Sequence, residues 1–453
     1  MIKKILFASI LCLLFCCTTD TNEIAVDSIV LNKTELQLIV GQTEQLSYVI
    51  TPSNVKDPNI VWSTEDKTIA QVSNTGLITA VSIGTTKIIA TISNKKFAEV
   101  NVTVNSPGVW ENLNDLTEGC ARYGSVSFAI GNKGYIGLGS NFQYVRGSLG
   151  SMSSSSGDQL NDFWSYDFKT KIWSPVTAFP GSPREKAVGF SVNNKAYIGL
   201  GEYNHYVKIG DRIERYPLKD FWEYDPLTNK WTQLPDFPGG ERSNSIGFAL
   251  NGNGYVGLGD NENSKKFSDD FWRFDPSINL WTQLPNFPGG IRSEAVGFAI
   301  DNKAYVGLGR TDYYTSPSLN SDFWSFDPTL NTWTKKADMP IAPLSNGYYN
   351  WAEKGRASAN AFSINGKGYV GNGYSKKEYT PFASDFQNAN DFWEYNPTTD
   401  VWIQKQNSLN YSSYTFVFNN STNGFFGGGE IYTQEGNHGS KVVLTSTFHK
   451  FTP

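Results

Sequence analysis

Five arginines stand at one spacing, each fifteen residues ahead of a glycine: Arg122, Arg184, Arg242, Arg292 and Arg356, before Gly137, Gly199, Gly257, Gly307 and Gly371. A guanidinium is a planar fork that grips a carboxylate or phosphate with two parallel hydrogen bonds. Five of them brought together would form a site for an anionic ligand. Tyr348 and Trp351, in an insertion between Trp333 and Arg356, offer ring faces for the apolar side of a sugar. Each arginine also has a structural alternative, because Glu185, Glu241 and Glu294 sit beside arginines and can pair with them. No serine triad, zinc motif, nucleotide loop or paired glycosidase carboxylates stand out.

The elements that must position these groups come from a repeat. A second constant, eleven residues, separates Asp162 from Trp173, Asp220 from Trp231, Asp270 from Trp281, Asp322 from Trp333 and Asp391 from Trp402. Within a unit, alternating runs flank turns such as Asn193-Asn194-Lys195 and Pro226-Leu227-Thr228-Asn229, which predicts four antiparallel strands, one propeller blade. A sixth unit supplies three strands, with Thr447-Phe448-His449 aligned to Asp-Phe-Trp and Asn410 or Tyr411 at the arginine position. Its fourth strand is expected from 109–113, carrying Trp110, so that six blades close into a ring. The variable loops 140–161, 202–219, 260–269, 310–321, 374–390 and 430–446 then crowd one face, and the arginines are expected at the channel mouth beneath them.

Upstream, residues 24–106 carry short β-rich runs at sandwich spacing, and 105–108 reads as a linker. The first residues, Met1-Ile2-Lys3-Lys4 and an apolar run over 5–15, form a leader too short to span a bilayer. Of four cysteines only Cys120 lies past the leader region, so no internal disulfide framework is available. The chain has 38 Lys plus Arg against 43 Asp plus Glu, a net charge of -5, which makes duplex nucleic acid a poor partner.

Three resemblances follow from these residues. A Cys at the end of the apolar run resembles a bacterial lipoprotein signal, with Cys17 the lipidated residue because Cys16 before it is small; this implies a signal peptide over 1–16, a tether over 17–23 and an envelope location, with membrane contact through the lipid only, on an outer membrane facing periplasm or cell surface. The stretch 24–106, with Leu31-Asn32-Lys33-Thr34, Gly41-Gln42-Thr43, Trp62-Ser63 and Gly76-Leu77-Ile78-Thr79-Ala80, resembles the bacterial immunoglobulin-like group 2 domain, a common spacer or adhesive module. Residues 109–453 resemble kelch repeats through their paired glycines and downstream aromatics. The expected fold is all-β: an immunoglobulin-like sandwich, then a six-bladed kelch-type propeller closed by its N-terminal strand.

Two enzyme families share the kelch architecture. Galactose oxidase holds copper with two His and two Tyr, but it has seven blades and a further C-terminal domain that contributes a ligand. His205, His438 and His449 are therefore read as loop or packing residues, with no metal or cofactor expected. The six-bladed, exported sialic acid mutarotases match in blade number and compartment. That resemblance implies a general acid/base carboxylate near an arginine that holds the sugar acid, with Glu185 beside Arg184 or Glu294 beside Arg292 in those roles. The first expectation is a lipid-anchored protein that binds a glycan or surface protein; the alternative, with catalysis left open, is a sugar mutarotase or epimerase rather than a copper oxidase. The expected ligand residues are Arg122, Arg184, Arg242, Arg292, Arg356, Tyr348 and Trp351.

Overall fold

The computed structural model describes residues 26–453 apart from 56–58, 93–95, 114–115, 117–120, 142, 147–151, 157, 208–211, 262, 313–317, 341–354, 377–385, 410–411 and 436–438. Cys17, Cys120, His438, Tyr348 and Trp351 lie outside the described residues. No described residue is helical, and the chain divides into two compact units between Asn105 and Ser106.

In the first unit, Glu35–Ile39, Phe97–Asn105, Gly84–Ile92 and Ile60–Thr64 form one sheet, the first pair parallel. Thr43–Gln45, Leu77–Ala80 and Ala70–Val72 form another, and Ser28–Leu31 pairs with Tyr48–Thr51. Alternation decides which face is inward: Val100, Val102 and Val104 are buried with Leu36, Leu38, Ile78 and Ile88, while the residues between them are not. Nothing in this core is titratable.

The second unit holds six four-stranded sheets. Blade two shows the pattern: Val188–Val192, Lys195–Gly199, Phe221–Asp225 and Lys230–Leu234, each antiparallel to the next. Its inner turn places Asn193 and Asn194 at positive φ, the conformation that matches strand twist. Its outer turn is held by Asp225, whose carboxylate accepts from Leu227 N–H at 2.9 Å. Blades meet through their aromatic faces; Phe221 packs on Trp281 of the next blade at 5.0 Å between ring centres. Gly199 is required there, since a Cβ would lie 2.1 Å from the Phe221 ring.

Closure is as expected. Val109–Asn112 pairs antiparallel with Phe448–Thr452, placing Trp110 opposite Phe451, and thereby completes the sixth sheet with Gly424–Gly427 and Phe416–Asn419. The segment leading into it is fixed on blade five, where Gln406 N–H donates to Pro107 and Lys405 Nζ to Ser106 O at 2.6 Å. The seam is crossed a second time above the variable face. Hairpin strand Gln143–Arg146 from blade one pairs with Gly439–Leu444 from blade six, so Met152–Ser156 and Glu430–Glu435 complete a four-stranded canopy.

Candidate functional site

The five arginines are buried in ion pairs. Each pairs with the aspartate that opens its blade's third strand: in a two-toothed fork Arg122 with Asp162 at 2.7 and 2.9 Å, Arg184 with Asp220 at 2.6 and 2.8 Å, Arg242 with Asp270 and Arg292 with Asp322, and through one nitrogen, Nη2, to both carboxylate oxygens Arg356 with Asp391. The second carboxylate oxygen also accepts the indole N–H two residues on, as Asp220 does from Trp222 at 2.7 Å. Positions two apart share a strand face, which explains the Asp-Phe-Trp spacing. In the first four blades a guanidinium nitrogen donates to the carbonyl inside the Gly-Leu-Gly turn, for example Arg184 to Leu200 O at 3.2 Å. Burial pushes the Asp220 carboxyl up, but Arg184 and Trp222 outweigh it and hold the group below the ordinary range. The expectation of an arginine ring at the channel mouth is therefore corrected, and the partners are these aspartates rather than Glu185, Glu241 or Glu294.

A second correction concerns blade six. The carbonyl at the arginine position accepts from the second glycine of the preceding blade all round the ring: Gly139 to Arg184, Gly201 to Arg242, Gly259 to Arg292, Gly309 to Arg356, Gly373 to Ser412 and Gly429 to Arg122. The sixth position is thus Ser412, not Asn410 or Tyr411. Blade six replaces arginine, aspartate and tryptophan together, by Ser412, Thr447 and His449. Losing the cation alone would strand a half-buried carboxylate.

What this latch does is set the next residues. Two positions past the arginine, Gly124, Lys186, Asn244, Glu294, Ser358 and Tyr414 all take positive φ, and their backbones link blade to blade, as Lys186 N–H to Gly124 O at 2.7 Å. One position past the arginine bridges to the residue after the second glycine, bringing Glu185 beside Glu202, Ser243 beside Asp260, and Ser293 beside Arg310. The framework is constant around the ring while the side chains on it differ. These positions surround one end of an axial channel of about 370 Å³, walled by the free edges of the innermost strands.

The side chains there form one polar network. Lys186 Nζ lies 2.8 Å from Glu202 and 3.4 Å from Glu185. Arg310 Nε is 2.8 Å from Glu294, which also accepts from Ser358 and Tyr374, each at 2.6 Å. Ser243 donates to Glu202 at 3.1 Å, and Asn204 Nδ2 to Glu185 Oε1 at 3.1 Å. The Tyr123 hydroxyl also donates to the Glu185 carboxylate. Burial, followed by the nearby Glu202 charge, outweighs Lys186 and raises the Glu185 carboxyl. Glu202 and Glu294 feel the same burial but are lowered, Glu202 by Lys186 and Arg215, Glu294 by Arg310 with the Ser358 and Tyr374 hydroxyls. Lys186 is held well above its ordinary range despite burial, by the two carboxylates. Burial thus pushes Glu185 toward its protonated form, while the neighbouring cations and hydroxyls hold Glu202 and Glu294 toward the ionised form.

One consequence is measurable in stability. Between the ordinary 4.5 and its raised value, Glu185 binds a proton in the folded chain that the unfolded chain releases, so stability falls as pH rises across that window and stays lower above it. Glu185→Gln should therefore stabilise the protein above the window and leave it nearly unchanged below, the difference growing by up to about 1.4 kcal/mol per pH unit within it. Urea unfolding on both sides of the window checks this. An equal change at both pH values would mean that Glu185 ionises normally.

Sequence reasoning named Glu185 and Glu294 but placed them with Arg184 and Arg292; the structure pairs Glu294 with Arg310, and puts Lys186 against Glu185. Lys186, Glu202, Arg310, Tyr374 and Arg215 were missed. The signal was available, because in aligned repeats the positions after the arginine and after the second glycine change chemistry from blade to blade. His205 lies exposed on the blade-two hairpin and His449 is buried in blade six. No cluster of three or more metal-ligating side chains occurs among the described residues.

Residues 25–106 match the bacterial Ig-like domain (group 2), and residues 211–238 match the Kelch motif. An N-acetylneuraminate epimerase of Escherichia coli (strain K12) is 31% identical over 97 residues, 21% of this chain and 24% of that protein. The Shigella flexneri protein of that name is 32% identical over the same length. An uncharacterized Clostridium acetobutylicum protein is 34% identical over 87 residues, 19% of this chain and 9% of its own. The matched stretches thus span a quarter or less of these relatives. The solved structure of YjhT superposes with a TM-score of 0.54 at 18% identity, covering 73% of this chain and 96% of the other, which supports the propeller fold. The chain joins a bacterial Ig-like domain to a kelch-type propeller.

Proposed function

We propose that the propeller mouth binds an acidic sugar and exchanges its anomers. The observation that carries this reading is a layering of charge. The cations are the accessible groups, with Arg215 34%, Arg310 19% and Lys186 17% exposed, while Glu202, Glu294 and Glu185 beneath them are 1%, 1% and 3% exposed. A ligand meets positive charge held in place by buried carboxylates, although the chain is net negative. The epimerase relatives act on N-acetylneuraminate by name, and that sugar carries a carboxylate.

In this reading the ligand carboxylate rests on the cation layer. Glu185, its carboxyl raised by burial, serves as the acid that donates to the ring oxygen; Glu294, its carboxyl lowered, serves as the base that accepts the proton of the anomeric hydroxyl, the ring carbon–oxygen bond breaks, and reclosure on the other face reverses both transfers. Activity should rise as pH passes the lowered Glu294 value and fall as it passes the raised Glu185 value.

Proton NMR of freshly released N-acetylneuraminate measures the exchange. The wild type should speed equilibration over buffer, Glu185→Gln should cut the rate about a hundredfold or more, and Arg310→Met should chiefly raise KM. Exchange no faster than buffer would overturn the catalytic reading. Binding without exchange would leave the same mouth as a recognition site, the role first expected from the sequence.

A further inference from the structure

The hairpin Glu202–Val207 and Arg212–Pro217 rises from blade two with two different faces. Register pairs Asn204 with Arg215, Tyr203 with Tyr216, and His205 with Glu214. Glu202, Asn204 and Arg215 belong to the mouth network, since Asn204 reaches Glu185 and Arg215 lies 4.0 Å from Glu202. Side chains alternate across a strand, so Tyr203, His205, Glu214 and Tyr216 share the opposite face. There the two tyrosine rings lie parallel, 6.2 Å apart and 28° from coplanar. Tyr216 is 46% exposed, His205 is exposed, and Tyr216 Oη donates to Glu214 at 2.8 Å.

Both edges of this hairpin are tied down. Gln159 of blade one accepts from Asn204 N–H at 2.6 Å and donates to Glu202 O, while Asn263 of blade three donates to Arg215 O at 2.7 Å. The platform is therefore preorganised rather than free to collapse on itself.

We propose that this outer face is a second binding surface, separate from the mouth, that takes a neutral pyranose oligosaccharide. The axial C–H groups of a pyranose ring stack on an aromatic face, and its equatorial hydroxyls point outward in the ring plane, where Glu214 accepts and His205 donates or accepts. A carboxylate and an imidazole one residue pair from the stacked rings match that division of the ligand. The proposal does not depend on what the mouth does.

Saturation-transfer NMR on the full chain tests it, with cellotetraose, chitotetraose and maltotetraose as probes at millimolar concentration. At least one probe should receive saturation at its ring protons. Tyr216→Ala should weaken that transfer roughly five- to tenfold, Tyr216→Trp should preserve it, and Arg310→Met should not change it. A melting curve shared by wild type and Tyr216→Ala excludes unfolding as the cause, the exposed position making such a match expected. Transfer to none of the three probes, or transfer unaffected by Tyr216→Ala, overturns the proposal. So does transfer lost in Arg310→Met alone, which would assign the sugar to the mouth.

Discussion

Arg292→Ala should cost the propeller about 3–5 kcal/mol, far more than a surface charge removal, because it leaves Asp322 four-fifths buried without its cation. The same change removes the donor to Leu308 O and to Gly289 O and the guanidinium stacked 4.8 Å over the Phe287 ring. A chemical-denaturation curve reads the loss directly. Replacing both partners, Arg292→Met with Asp322→Leu, should recover a large part of it, since the stranded carboxylate is then gone. If the single variant instead keeps wild-type stability while anomer exchange or ligand binding fails, Arg292 is a ligand residue after all.

Deleting residues 109–113 from the chain should have an effect at least as large. Trp110 lies within 5.0–5.2 Å of Phe392, Phe426 and Phe451 and donates to Gln406 O at 3.0 Å. Trp110 is partly buried, so its loss alone should cost about 2–3 kcal/mol, and the deletion also frees the edge of Phe448–Thr452. Loss of the cooperative thermal transition and rapid proteolysis are the expected outcomes, with Trp110→Ala intermediate. An unchanged melting midpoint would show that the canopy and the Gly429–Arg122 bond close the ring unaided.

Repetition made the scaffold legible. Two constant spacings gave the blades, the hairpins and the closing strand, because a ring of equivalent packing interfaces needs the same residue at the same place each time. That reasoning also misled. The five arginines recur for the reason that Phe221 and Gly199 recur, as members of the interface, and a single asymmetric ligand has no use for five copies. Chemistry sits where recurrence fails: Lys186 where blade three has Asn244 and blade four Glu294, Arg310 where blade two has Glu202. Which of those variable groups meet was not readable, since Glu294 and Arg310 are brought together by a bridge between strands and not by adjacency. Ser412 was legible, because it stands fifteen residues before Gly427, the spacing of the five arginines; placing Asn410 or Tyr411 there gave the blade-six hairpin an extra length that its pairing of Phe416 with Gly427 does not have.

The strand that closes the ring also fixes the order of events in biogenesis. Residue 109 pairs with residue 452, so one edge of the last blade is made before the first propeller hairpin and waits while the others emerge. Hairpins within blades one to five can form from neighbours in sequence, but the ring stays open until residues 448–452 arrive. Until then Trp110 lacks the Phe426 and Phe451 rings it packs against in the closed ring. Completion comes as a single late step.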